Sequence, residues 1–197
     1  MPRPREFDED VVLDAAMQTF WLRGYSSTSL SALMEATGLQ KGSLYKAFKD
    51  KHSLFITALE RYLNEAYRHH RDRLCCSDSP QQRLRQWLGN LIQVYSGYSD
   101  CRGCLAVNSL VELAPHDATV KQLLQNYCAR VRSLLTEVIA QGQALGEFRG
   151  DVAASDLGLL MFHLLMGLMT SLKAEVPPAV LDRQVDLAMT VLAPQPS

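Results

Sequence analysis

SLSALMEATGLQKGSLYKAFKDK, from Ser29 to Lys51, is the stretch that decides the fold. Ser29 precedes Leu30, Leu33 and Met34, an apolar face at three- and four-residue spacing, so a helix opens here with a serine oxygen placed to cap it. Gly38 ends that helix after about two turns, since glycine enters the left-handed conformation without a steric cost. Gln40 to Ala47 begins another short helix with Leu44 and Phe48 turned inward, and Asp50 caps a longer one carrying Leu54, Phe55, Ala58, Leu59, Tyr62 and Leu63. Two short helices joined through one glycine make a helix-turn-helix candidate.

The same punctuation continues outward. Upstream, Val12, Ala15, Ala16, Thr19 and Phe20 form a stripe opened by Asp8, Glu9 and Asp10 and stopped by Gly24, which predicts a helix near 8–23. Downstream, the polar linker Cys75 to Ser79 leads into Pro80 and a helix bearing Leu84, Trp87, Leu88, Leu91, Ile92 and Tyr95. Cys104 to Ala114 reads as a central helix ended before Pro115. Asp117 opens the longest periodic run, which holds one stripe as far as Ile139 and stops at Gly146. Ser155 and Asp156 are expected to cap an apolar helix through Leu172, and Val180 to Leu192 supplies the last one. Sustained two-residue alternation is hard to find, so the class is all-α with about nine helices.

Charge locates a function. The 197 residues carry 20 basic and 21 acidic groups, a net charge of -1, and 47% hydrophobic residues, enough for a real core. The chain as a whole is therefore no general nucleic-acid binder, and any such binding needs a local patch. From Arg23 to Lys51 the basic residues Arg23, Lys41, Lys46, Lys49 and Lys51 face only Glu35 and Asp50, so five minus two leaves +3 there. Lys41, Gly42, Ser43 and Tyr45 open the second short helix, whose N-terminal amides point outward, and Gly42 lets the backbone approach a base edge or phosphate. The Tyr45 hydroxyl suits a phosphate, and Lys51 suits the neighbouring strand.

On these residues the sequence resembles the tetracycline-repressor (TetR) family of bacterial regulators: Gly24-Tyr25, Thr28-Ser29, Gly38, Lys41-Gly42-Ser43-Leu44-Tyr45, Phe48, and Lys51 followed by Leu54. The match covers roughly residues 8 to 60 and is specific as a spaced set. The resemblance implies a homodimer of all-helical chains in which a DNA-binding head, 1–50, and a connecting helix, 51–78, precede a ligand-binding and dimerisation domain, 79–197. It assigns DNA contacts to Ser29, Gln40, Lys41, Gly42, Ser43, Tyr45, Lys46 and Lys51, and core roles to Leu30, Leu33, Leu44 and Phe48. Ala47 departs from the family, many of whose members carry a histidine there. Arg3 and Arg5 read as solubilising terminal charges and are kept out of the site.

Cysteine usage leaves two readings. Cys75, Cys76, Cys101, Cys104 and Cys128 are an odd number, and Met1 to Asp10 holds four acids and two arginines with no apolar run, so neither export nor a disulfide framework is expected. The expected location is cytoplasmic. Cys101-Arg102-Gly103-Cys104 has the spacing of a zinc or thiol-exchange motif but lacks a second pair, and His69 and His70 beside Cys75 and Cys76 read as an exposed helix end. No metal or cofactor is expected. The segment Arg102 to Asn108 with Glu112-Leu113-Ala114 is similar to the central helix of a TetR subgroup, some of whose members sense electrophiles or oxidants through a cysteine at this point. Beside Arg102 and near a helix N-terminus, a Cys104 thiolate is favoured; the other reading is a small packed residue. A thiol-dependent or zinc-binding helical protein centred on Cys101 and Cys104 is the alternative function.

An effector pocket is expected on the apolar faces of the middle helices, with Trp87, Tyr95, Asn108, Tyr127 and Phe162 as candidate lining beside Leu91, Cys104 and Cys101. Cys128 reads as core, and His163 as a hydrogen-bonded core or interface residue. Leu157 to Leu172 falls short of the roughly 20 residues that cross a bilayer, so no membrane partner is expected. Together with Leu181, Val185, Leu187, Ala188 and Leu192 it offers a dimerisation surface.

Overall fold

A computed structural model describes residues 7–195, which fold into nine helices without strands among the described residues. They are α1 (Glu9–Arg23), α2 (Leu30–Thr37), α3 (Lys41–Phe48), α4 (Lys51–Leu74), α5 (Pro80–Ser96), α6 (Leu105–Glu112), α7 (Ala118–Ala144), α8 (Ala154–Lys173) and α9 (Pro178–Leu192). Arg3 and Arg5 lie outside the described residues.

The expected caps account for most helix starts. Asp8, Ser29, Asp50, Ser79 and Asp117 each accept a backbone N–H of the first turn through the side chain. Gly38, at φ 69°, ends α2 in the left-handed conformation, leaving room for only two residues before α3. One cap differs from expectation. Ala153, and not Ser155 or Asp156, precedes α8, and Asp156 lies in the first turn, where its charge favours the positive end of the helix.

Phe20, Leu33, Leu44, Phe48, Phe55 and Leu59 form the core of the head, with the Phe20 and Phe55 rings edge to face at 5.1 Å. Leu30 is only partly buried. The body stacks α5, α7, α8 and α9 around Leu84, Val131, Leu135, Met161 and Val185, while α4 runs from the head into that core, burying Leu63, His70 and Leu74. Contact between α7 and α8 is close: a Cβ at Gly158 would stand 3.0 Å from the Thr136 backbone.

Two further expectations change. His70 is not on an exposed helix end but buried, because it continues the stripe of Leu63 and Leu74 at helical spacing. The apolar helix α8 has 20 residues and is long and apolar enough to cross a membrane by length and composition; one of its faces packs into the core through Leu157, Met161, Leu165, Leu168 and Leu172.

Candidate nucleic-acid interface and effector cavity

The α2–turn–α3 unit presents one polar edge. Gln40 occupies the N-cap of α3 but makes no capping hydrogen bond, which leaves its side chain and the first amides of the helix unclaimed within the protein. Gln40, Lys41, Gly42, Ser43 and Lys46 are exposed around that end, and Tyr45 is half-buried, with the Lys41 ammonium 5.8 Å from its ring centroid. Leu44 and Phe48 fix the opposite face in the core. Ser29 is exposed as well, yet its hydroxyl is engaged, accepting the Ala32 N–H at 3.1 Å. Lys49, leaving α3, has φ 66°, a strained conformation for a residue with a Cβ. The structure thus gathers Gln40, Lys41, Gly42, Ser43 and Lys46 at one exposed helix end.

Lys51 is placed differently. Its ammonium is half-buried 4.3 Å over the Tyr25 ring, and burial draws its pKa down while the nearby Glu112 carboxylate draws it up. It therefore stands where the head meets the body.

That junction escaped the sequence reading. Glu112, the last residue of α6, accepts the backbone N–H of Ser26 at 2.7 Å and of Tyr25 at 3.1 Å, in the turn between α1 and α2. Burial pushes its carboxyl up, but those amides and the Lys51 charge prevail and hold it below the usual carboxylate range. Gly24 makes the approach possible, since a Cβ there would lie 3.0 Å from the carboxylate and φ is 77°. Beside it the His52 ring meets Asp117 at 2.6 Å. At the other end of α6, the Trp21 indole N–H donates to the Gly103 carbonyl at 2.7 Å. Periodicity could not reveal these contacts, because the partners are separated by 65 to 87 residues.

Above α6 is a cavity of about 20 Å³, room for roughly one water. Of the candidate lining residues, Tyr95, Cys104, Tyr127, Phe162 and Leu91 face it; Trp87, Asn108 and Cys101 do not. The Trp87 N–H donates to His70 Nδ1 at 3.1 Å, so His70 Nε2 carries the proton and donates to the Tyr127 hydroxyl at 2.9 Å. Burial, helped by His69, lowers the His70 pKa to about 4, so the ring is neutral. Asn108 bridges the Arg102 carbonyl and the Lys173 ammonium on the outside of α6. The Cys104 sulfur lies 3.3 Å from the Tyr62 hydroxyl, which meets the Tyr95 hydroxyl at 3.0 Å.

The cysteine expectations divide. Arg102 does not serve Cys104: its guanidinium is held by Asp100 and Gln18 and lies over the Trp21 and Tyr98 rings. Cys101 is half-exposed, its thiol pushed up by burial and by Glu175, while Cys104 points into the cavity, so the two face different surroundings. No group of three metal-ligating side chains comes together among the described residues. Cys128 is not fully core but half-buried on the cavity wall. His163 is exposed, with no hydrogen bond to the core, on the α8 face that carries Leu159 and Leu160.

Comparison with known proteins agrees with this geometry. Residues 12–58 match the profile for bacterial regulatory proteins of the tetR family, and residues 80–187 match the tetracyclin repressor-like C-terminal domain. The HTH-type transcriptional repressor ComR of Escherichia coli is 29% identical over 191 residues, 96% of this chain and 90% of that protein. A cysteine mutant of the TetR family transcriptional regulator CifR, solved with 26 bp double-strand operator DNA, is 33% identical, covers 95% of this chain and 98% of its own, and superposes with a TM-score of 0.84. The reduced form of Escherichia coli NemR, 18% identical over 93% of this chain and 96% of its own, has the same fold with a TM-score of 0.84. With both its head and its body matched, the chain belongs to the tetracycline-repressor (TetR) family of bacterial transcriptional regulators.

Proposed function

We propose that this protein is a homodimeric repressor whose α3 helices enter successive major grooves of an inverted-repeat operator and are withdrawn when an effector occupies the α6 cavity. The observation that carries the reading is the exposed, uncapped start of α3, where a free Gln40 and the Lys41-Gly42-Ser43 segment stand on a buried Leu44–Phe48 base. Residues 1–50 act as the head, 51–78 as the connector and 79–197 as the effector and dimerisation domain, in a cytoplasmic regulator that is not an enzyme and has no membrane partner. Gln40, Lys41, Gly42, Ser43, Tyr45 and Lys46 contact DNA, with Ser29 and Lys51 holding phosphates at the flanks.

What α8 and α9 leave uncovered supports dimerisation through those helices. Leu181, Val185 and Leu192, expected at the interface, are buried within the protomer, whereas Leu159, Leu160, Leu187 and Val191 remain 37–58% exposed. A second copy is the natural cover for such a face. The effector cavity is small, far below the roughly 300 Å³ of ordinary ligand pockets. The effector is therefore a very small molecule, one that widens the cavity, or a thiol-reactive agent acting on Cys104.

A gel shift with the DNA flanking the protein's own gene tests the central claim. Binding is expected with a steep salt dependence, and Lys51→Ala is expected to lower the slope by about one unit for the phosphate contact removed. A monomeric chain in sedimentation, or indifference to that DNA at low salt, would overturn the reading; Leu160→Glu, on the exposed α8 face, is expected to yield the monomer.

A further inference from the structure

A second concave site lies in the body, away from the α6 cavity. A cleft of about 520 Å³ opens where the linker between α4 and α5 meets the end of α7, and it shares no lining residue with the α6 cavity. Gln141 on its wall stands thirteen residues past Cys128 along α7, about 20 Å of helix. Its size is that of an ordinary ligand pocket, roughly 300 to 1,000 Å³. Arg83, near the start of α5, lines it although the residue is only 7% exposed. The side chain donates to two neutral acceptors, the Leu74 carbonyl at 2.8 Å and the Gln141 side-chain oxygen at 2.7 Å, and its buried Nε has no hydrogen-bond partner among the described residues. A guanidinium keeps its proton and offers five N–H donors, so one that is buried against neutral groups alone is costly until an anion joins it.

The rest of the wall restricts what that anion belongs to. Asp78, exposed in the linker with the Cys76 thiol at 3.9 Å, and Glu147, which accepts the Gln81 N–H at 2.9 Å, also line the cleft. A simple anion therefore meets two carboxylates beside one guanidinium and is repelled, whereas a molecule carrying both a carboxylate and a cationic group matches both signs. Pro80, Ala144 and Leu145 supply apolar wall. We propose that this cleft binds a free α-amino acid with an apolar side chain, its carboxylate on the Arg83 guanidinium, its ammonium toward Asp78 and Glu147, and its side chain against Leu145. The site is separate from the α6 cavity and does not depend on that cavity's role.

Isothermal titration of the full-length protein with L-alanine, L-valine, L-leucine and L-phenylalanine tests the assignment. The best binder is then compared with its amide, which lacks the carboxylate, and with its des-amino acid, which lacks the ammonium. One site per chain is expected, with both analogues at least tenfold weaker. Arg83→Met is expected to abolish binding. That change also frees the Leu74 carbonyl and can cost the fold, so Asp78→Asn in the exposed linker is the second variant. It is expected to weaken the amino acid at least fivefold and to leave the des-amino acid unchanged or tighter. Absence of binding by all four amino acids at about 10 mM overturns the proposal. So does an amide that binds as tightly as the acid, or an affinity unchanged in Asp78→Asn. A des-amino acid as tight as its parent makes the cleft a plain anion site and overturns the amino-acid assignment.

Discussion

Nothing lies within 4 Å of the place where a Cβ would stand on Gly42, and the residue is already helical. Folding therefore does not require glycine here; in the proposed interface, a DNA backbone or base edge pressed against α3 would. Gly42→Ala is expected to raise thermal stability by up to about 1 kcal/mol, from helix propensity, and at the same time to weaken operator binding at least tenfold. Thermal melts beside a gel shift check both signs, and an alanine variant that binds normally would remove Gly42 from the interface. The exposed place of Gly42 in the first turn of α3 was legible because its neighbours are local. Lys51 was only half legible: its position after the Asp50 cap could be read, but its place over Tyr25 and beside Glu112 depends on residues remote in the chain. The same holds for His70, whose side chain looks polar in a list and is buried in the fold by the stripe it continues.

At the scale of elements, α6 is the short helix on which the cavity and the head meet. Its first turn and the residue before it carry Cys104, Ala106 and Val107 into the cavity wall, and both its ends are fastened to the head, by Gly103 to Trp21 and by Glu112 to the amides of Tyr25 and Ser26. Any change in the cavity that moves α6 must therefore be felt in the turn that leads to α2, and coupling of this kind is reciprocal between DNA and effector. Glu112→Gln removes the charge and turns one of the two acceptors into a donor. Operator binding is expected to persist, while the drop in affinity caused by the effector shrinks several-fold; the check is a gel-shift titration with and without the thiol-reactive agent. Equal release in the variant and the parent would show that α6 does not carry the signal through this end. Sequence periodicity placed this helix within a residue or two but gave no hint of its fastenings, since an acid at the end of a helix reads as an ordinary solvated charge.

For the whole molecule, the buried His70–Trp87–Tyr127 set links α4, α5 and α7. Its ring titrates near 4 in the fold, mainly because of burial, against 6.5 ordinarily. A depressed histidine pKa favours the neutral form, so this contribution is complete above pH 6.5 and is lost as pH falls toward 4. The difference amounts to about 2 kcal/mol between about pH 7 and about pH 5. Urea denaturation at those two values is expected to show the loss in the parent and a smaller one in His70→Gln; equal losses would assign the acid sensitivity to other groups.

Helix existence, order, most caps and the exposed lysine–glycine–serine edge of α3 were fixed by local chemistry, because side-chain spacing, capping oxygens and left-handed glycines act within a few residues. Tertiary structure alone decided which thiols share a wall, that Arg102 is neutralised by Asp100 away from Cys104, that Glu112 and Trp21 fasten the body to the head, and which leucines of α8 and α9 stay uncovered. Those facts depend on the angles at which helices pack, and packing angles follow from the joint shape of surfaces drawn from the whole chain, which no short window of sequence contains.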